Sequence, residues 1–227
     1  MTSLPERIEI ETGPSPTAAV VWMHGLGADG HDFEPIVPEL GLPATPAIRF
    51  VFPHAPMRPV TVNQGYVMRA WYDIRIDNGV RREDEPGVRE SQRAIEALVA
   101  RERERGIPPG RIVLAGFSQG GAMALHTGLR APDRLAGIMA LSCSLPLAGQ
   151  LAAEASPANR DVPIFMAHGT DDEMIPMARA TSARETLTGL GYRVEWKEYR
   201  MGHSVCPEEI ADIRRWLASV LTKERQS

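Results

Sequence analysis

Short apolar runs alternate along the chain with longer stretches in which apolar residues recur every three or four positions. The runs "AAVVWMHG" (18–25), "IRFVFP" (48–53), "RIVLAGF" (111–117), "LAGIMALS" (135–142) and "VPIFMAHG" (162–169) are nearly continuous in apolar residues, as strands buried on both faces are. "RVEWKEY" (193–199) alternates instead, which suits a strand nearer a sheet edge. In "GVRESQRAIEALVARERERG" (87–106), Val88, Ile95, Leu98 and Val99 fall at helical spacing. Ile210, Ile213, Leu217 and Leu221 do the same in "EEIADIRRWLASVL" (208–221). Doubly buried strands separated by helices predict a mostly parallel central sheet with helices on both faces. The alternation runs to the C-terminus without a linker or repeat, so one domain over 1–227 is expected.

One segment breaks the rhythm. "PHAPMRPVTVNQGYVMRAWYD" (53–73) carries three prolines and little periodicity, and reads as a long ordered loop, extending to about residue 75. Loops of that length in compact domains often wall a pocket. Tyr66, Met68, Trp71 and Tyr72 within it would be costly to leave in water.

Composition narrows the choice of partner. Of 227 residues, 43% are hydrophobic and 24% charged, the balance of a chain that packs a core. The formal net charge is -4, and basic residues are scattered or mixed with acids, so no basic face exists for nucleic acid. No run approaches the length of a membrane span, and the first residues lack an apolar signal core, so a cytoplasmic protein is expected. Cys143 and Cys206 are the only cysteines. They form no C-x-x-C pair and suggest neither a disulfide framework nor a thiolate metal site.

Chemistry enters at "RIVLAGFSQGGAMALHTGL" (111–129), which contains G-x-S-x-G at Gly116, Ser118 and Gly120. An apolar strand leads into Ser118 and a helical pattern leads out. A serine on such a sharp turn stands clear of the sheet at a helix N-terminus that favours developing negative charge. The bland alternative is an N-cap serine. Acyl attack also needs two backbone donors for an oxyanion, one after the nucleophile and one on the loop after an earlier strand. Gln119 and Leu26 meet those descriptions, Leu26 within the glycine-bearing loop "HGLGADG" (24–30).

Six histidines are candidates for the base. His24 and His168 precede glycines at strand ends, where a structural hydrogen bond is the simpler role. His126 lies in the helix after Ser118, His31 in a polar loop, and His54 at the start of the long segment. His203 follows a strand and precedes the last helix, the loop position at which α/β-hydrolases present their base. Between Ser118 and His203 lies "HGTDDEMIP" (168–176) with two adjacent acids. The chain order Ser118, Asp171 or Asp172, His203 is that of α/β-hydrolases.

Taken together, "HGLGADGHDF", "PHAPMRPVTVNQGYVMRAWYDI", "GFSQGGAMAL", "LAGIMALSC", "HGTDDEMIP" and "MGHSVCPEEI" resemble the phospholipase/carboxylesterase family, in particular its acyl-protein thioesterases and bacterial carboxylesterases. The likeness covers about Ala18 to Trp216 and implies an α/β-hydrolase fold. It implies Ser118 as nucleophile, His203 as base, and the Leu26 and Gln119 amides as oxyanion hole. The family motif H-G-x-x-D-x-x-V-P, laid on residues 168–176, puts the acid at Asp172 and leaves Asp171 at a variable position. Ile175 stands where valine is usual.

The chemistry so implied is hydrolysis of short- to medium-chain acyl esters or thioesters through an acyl-serine, with no metal or organic cofactor. Met68, Trp71, Leu145 and Met174 are candidate walls of an apolar acyl site. An acylated protein is a candidate substrate, and monomer and homodimer are both open. Small-peptide or lysophospholipid hydrolysis, and a non-catalytic hydrolase-fold binding module, are the alternative readings.

Overall fold

A computed structural model describes residues 4–78 and 80–222. The chain begins with β1 (Arg7–Glu11), β2 (Ala18–Met23), α1 (Ile36–Leu40) and β3 (Ile48–Pro53). Two short antiparallel pairs follow, β4 (Met57–Val60) with β5 (Tyr66–Arg69) and β6 (Ile74–Asp77) with β7 (Val80–Glu83). Strands and helices then alternate: α2 (Glu85–Glu104), β8 (Ile112–Phe117), α3 (Gln119–Gly128), β9 (Gly137–Leu141), α4 (Ala148–Glu154), β10 (Ile164–Gly169), α5 (Met177–Gly189), β11 (Val194–Tyr199) and α6 (Pro207–Thr222).

The central sheet has seven strands in the order β1-β3-β2-β8-β9-β10-β11. Every pair is parallel except β1 with β3. Period-2 alternation divides the interior into two layers. Val20, Trp22, Val113, Ala115 and Phe165 point to the face covered by α1 and α6, where Ile213, Trp216 and Leu217 meet them. Val21, Met23, Leu114 and Met166 point to the face covered by α2, α3, α4 and α5. Each such Val, Leu, Ile, Met or Phe side chain, once buried, stabilises the fold by about 1.5–3 kcal/mol relative to exposure. Pro86 and Pro207 sit in the first turns of α2 and α6, where a missing N–H leaves no bond unmade.

The structure differs from the sequence expectation at two places. β1 joins the sheet by an antiparallel pairing with β3, and its alternation "RIEIE" is only partly buried. The segment 53–75 is also more regular than a loop. β4 and β5 form a hairpin closed by a single 3₁₀ turn, Thr61–Asn63, with Gln64 and Gly65 at positive φ.

The hairpin is bonded to the body both at its turn and at its base. The Asp73 carboxylate accepts from the Thr61 amide at 2.7 Å, the Thr61 hydroxyl at 2.6 Å, the Ile74 amide at 2.8 Å and the Arg75 Nε at 3.1 Å. Arg69 donates to the Ala55 carbonyl at 2.9 Å. The rest of the turn bonds within the hairpin, Gln64 N–H to the Thr61 carbonyl and Gly65 N–H to the Val60 carbonyl. Met57, Tyr66 and Val67 on its outer surface are exposed, so the tyrosine expected to seek cover does not find it.

Candidate active site

Parallel strands end together, and the loops after β2, β8, β10 and β11 therefore converge at one edge of the sheet. At the end of β8, Ser118 has φ 55° and ψ -119°, a conformation that costs a non-glycine residue about 1–3 kcal/mol. What permits the turn is the absence of two side chains. A Cβ on Gly116 would lie 2.2 Å from the Gly120 carbonyl carbon, and one on Gly120 would lie 2.1 Å from the Met23 oxygen. The backbones of β2, β8 and α3 thus touch directly around Ser118. Its N–H donates to the Leu141 carbonyl at 2.8 Å, fixing the turn to β9, and Gln119 opens α3 with an amide that no preceding helical carbonyl can accept. Alongside, a Cβ on Gly25 would lie 3.4 Å from the Ser118 Cβ, so the Gly25–Leu26 peptide runs next to the serine.

Asp172 and His203 are paired. Asp172 Oδ2 lies 2.7 Å from His203 Nδ1. Its Oδ1 accepts from the Met174 and Ile175 amides at 2.9 and 2.8 Å. The carboxylate is fully buried while the His203 side chain keeps 18% of its surface. The His203 ring packs on Phe117, the residue before Ser118, with centroids 4.7 Å apart. Asp171 is exposed and contributes its backbone N–H to the Met201 carbonyl at 3.0 Å.

The other histidines are accounted for by local bonds. His24 donates from Nδ1 to the Gly25 carbonyl at 2.7 Å and accepts the Ala55 amide on Nε2 at 3.0 Å. Burial, which disfavours the charged ring, holds its pKa down to about 4. His168 donates from Nε2 to the Ile175 carbonyl at 2.7 Å. His54 Nδ1 accepts the Gly30 amide at 3.0 Å, and His31 is exposed beside Glu34 at 2.8 Å. His126 is buried with Nε2 2.9 Å from the Gln92 amide oxygen, its pKa held down to about 3 by burial and then by Arg130 and Arg89.

Ser118 and His203 share the wall of a cavity of about 570 Å³ with Leu26, Met68, Met174, Val62, Ile76 and Ile175. Two of the four expected acyl-site residues are therefore present and two are not. Trp71 is 1% exposed and belongs to the core on the α2 and α3 side of the sheet, its Nε1 donating to the His24 carbonyl at 2.9 Å. Leu145 turns inward to the same core and borders a separate pocket of about 290 Å³.

Sequence reasoning missed Val62, Ile76 and Ile175 in the wall, Phe117 under His203, and the amides that hold Asp172. For Asp172 a signal was available: an aspartate commonly accepts amides two or three residues on. Among the described residues, no cluster of three or more His, Cys, Asp or Glu side chains is placed to hold a metal ion. No described helix is long and apolar enough to cross a membrane.

Comparison with known proteins points the same way. The acyl-protein thioesterase 1 of Gibberella zeae is 41% identical over 214 residues, covering 90% of this chain and 91% of its own. Among solved structures, Arabidopsis thaliana SOBER1 superposes with a TM-score of 0.84 at 32% identity, over 90% of this chain and 99% of its own. Zea mays acyl-protein thioesterase 2 gives 0.83 at 27% identity, over 96% and 99%. The family model described as Phospholipase/Carboxylesterase matches residues 6–221, so the chain belongs to the phospholipase/carboxylesterase family of α/β-hydrolases.

Proposed function

We propose that this ester hydrolase works through Ser118, His203 and Asp172, on short- to medium-chain acyl esters and thioesters. The observation that carries the reading is the Asp172 carboxylate, buried, held by two amides and 2.7 Å from His203 Nδ1, beside a cavity that also contains Ser118. With Nδ1–H given to Asp172, the free Nε2 is the base. It takes the Ser118 proton as the hydroxyl attacks the acyl carbon, then returns it to the leaving alcohol or thiol. The Leu26 and Gln119 amides receive the oxyanion. Water then repeats the sequence on the acyl-serine and regenerates the enzyme.

The cavity is of the size usual for small-molecule sites, and Leu26, Val62, Met68 and Ile76 offer it an apolar wall for the acyl chain. The names of the relatives extend the substrate class to acylated proteins, whose thioester-linked chain would enter the same wall. A fluorophosphonate probe tests the central step. One adduct per chain is expected, on the peptide containing Ser118, with Ser118→Ala unlabelled and inactive against octanoyl esters and thioesters. Labelling at another residue with Ser118 spared would refute the mechanism. A labelled Ser118 that cleaves only peptides or lysophospholipids would transfer the reading to those substrates.

A further inference from the structure

Trp71 does not wall the cavity, yet it sits where two backbone stretches that bear on the reaction come together. Toward the loop after β2, its indole N–H donates to the His24 carbonyl at 2.9 Å, and the Gly27 N–H donates to the Arg69 carbonyl at 2.9 Å. Leu26 lies between those two anchors. Toward α3, the Gln119 side chain reaches back to the same segment. Its Oε1 accepts the Trp71 amide at 2.7 Å and its Nε2 donates to the Tyr72 carbonyl at 2.7 Å. The Ser91 hydroxyl of α2 donates to the Trp71 carbonyl, so the tryptophan backbone is held from both sides. Trp71, Tyr72 and Gln119 are all buried.

We infer that Trp71 and the Gln119 side chain are positioning residues, a clamp that fixes the Leu26 amide relative to the Gln119 amide and so shapes the oxyanion hole. The inference rests on the serine-hydrolase reading, in which those two amides bind the oxyanion. Such donors act only when held at about 2.7–3.1 Å from the place where charge develops, and here they belong to different elements. The stretch from His24 to Gly27 contains two glycines and is soft by itself. The clamp supplies the missing stiffness. A Cβ on Gly120 would lie 2.6 Å from the His24 oxygen, so the carbonyl that the indole holds is already seated against the first turn of α3. Packing alone would be satisfied by an apolar ring at 71 and an apolar chain at 119. Two paired donors and an acceptor at those positions are what the clamp requires.

Trp71→Phe keeps an aromatic ring, smaller than the indole, and removes the N–H. Gln119→Met removes both side-chain bonds. For each, kcat and KM would be measured on an octanoyl thioester, together with inhibition by an octyl trifluoromethyl ketone, which forms the oxyanion, and by octanoate, which does not. A donor displaced by a fraction of an ångström should lower kcat roughly 10- to 100-fold and weaken the ketone equally, while KM and octanoate inhibition move less than about twofold.

Gln119→Glu supplies a signature that a structural role would not. Its neutral acid can donate to the Tyr72 carbonyl while accepting the Trp71 amide; its anion cannot donate. Burial raises that acid's pKa, so its activity relative to the parent enzyme should be restored toward low pH and lost toward high pH. Gln119→Met should show no such titration. Because it keeps the side-chain length, Gln119→Glu at low pH also serves if Gln119→Met fails to fold. Lowered melting temperatures with unchanged kcat, equal weakening of ketone and octanoate, or a flat relative pH profile for Gln119→Glu would overturn the clamp. Activity in Ser118→Ala would instead overturn the serine-hydrolase reading on which it rests.

Discussion

Asp172→Asn should disable the enzyme without unfolding it, and the structure dictates how. The replacement amide must choose which atom faces which partner. Oδ1 accepts two backbone N–H groups, from Met174 and Ile175, so the asparagine oxygen stays there and its NH₂ takes the place of Oδ2. That NH₂ then faces His203 Nδ1, 2.7 Å from Oδ2, and lies near His168 Nε2, 3.6 Å from Oδ2. Because an NH₂ can only donate, His203 must accept on Nδ1 and carry its proton on Nε2, which can no longer take a proton from Ser118.

In the serine-protease case this tautomer exchange lowers kcat by about 10⁴, or about 5.5 kcal/mol of activation free energy. Stability should fall by no more than about 1–2 kcal/mol, since both backbone bonds survive and one buried contact is mismatched. Asp171→Asn should change kcat less than about twofold, because that side chain is exposed and away from the pair. Rates on an octanoyl thioester, with thermal melts of each variant, check the argument. A folded Asp172→Asn within tenfold of the parent, or a crippled Asp171→Asn, would refute it.

Gly120→Ala should destabilise by about 3 kcal/mol, the upper end of overpacking costs, because the new methyl would lie 2.1 Å from the Met23 oxygen; an unchanged urea midpoint would contradict this. His24 and His126 are neutral in the fold with pKa values of about 4 and about 3 against an ordinary 6.5. The unfolded chain binds their protons first, so their contribution is fully present above pH 6.5 and is lost as pH falls toward those lower values, on the order of 3 kcal/mol for each. Urea melts from pH 8 to pH 4 should show the loss, and His126→Gln should reduce its slope; an identical slope would exclude His126 as a source. Lengthening the acyl chain should raise kcat/KM up to about fourfold per carbon until the cavity is full, from about 0.8 kcal/mol per methylene. Met68→Ala should move that limit to longer chains, and a profile flat from acetyl to octanoyl would count against an apolar acyl wall.

The parts of the fold that were legible in the sequence are those whose burial is symmetric. β2, β8 and β10 lie in the middle of the sheet and show in the sequence as unbroken apolar runs, since both faces are covered. β1 and the β4–β5 hairpin have one face in solvent or none buried, so Arg58, Pro59 and Tyr66 leave no periodic trace. α5 was equally quiet, because only Ala180, Ala183 and Leu187 are buried along it. Within the site, residues whose chemistry depends on backbone position, Ser118 and its flanking glycines, were recognisable from spacing. Wall residues were not. Trp71 and Met68 are three residues apart, yet Met68, in β5, lines the cavity while Trp71, in the bend beyond that strand, enters the core.

The hairpin divides along its length in a way that bears on how such a protein can diversify. Arg69, through the Ala55 carbonyl and the Gly27 amide, holds its base to the body, and Asp73 holds the first residue of its turn, Thr61. Val62 and Asn63 in the turn, and Met68 near the base, face the cavity, while Gln64 and Gly65 bond to neighbours in the hairpin. Substitutions at Val62 and Asn63, beyond the Thr61 anchor, can therefore redraw the space offered to a substrate while the base stays in register. Lineages can explore new acyl preferences there one mutation at a time, with the hydrolytic apparatus inherited intact. Change at the base has no such latitude, because it would reach the reaction itself.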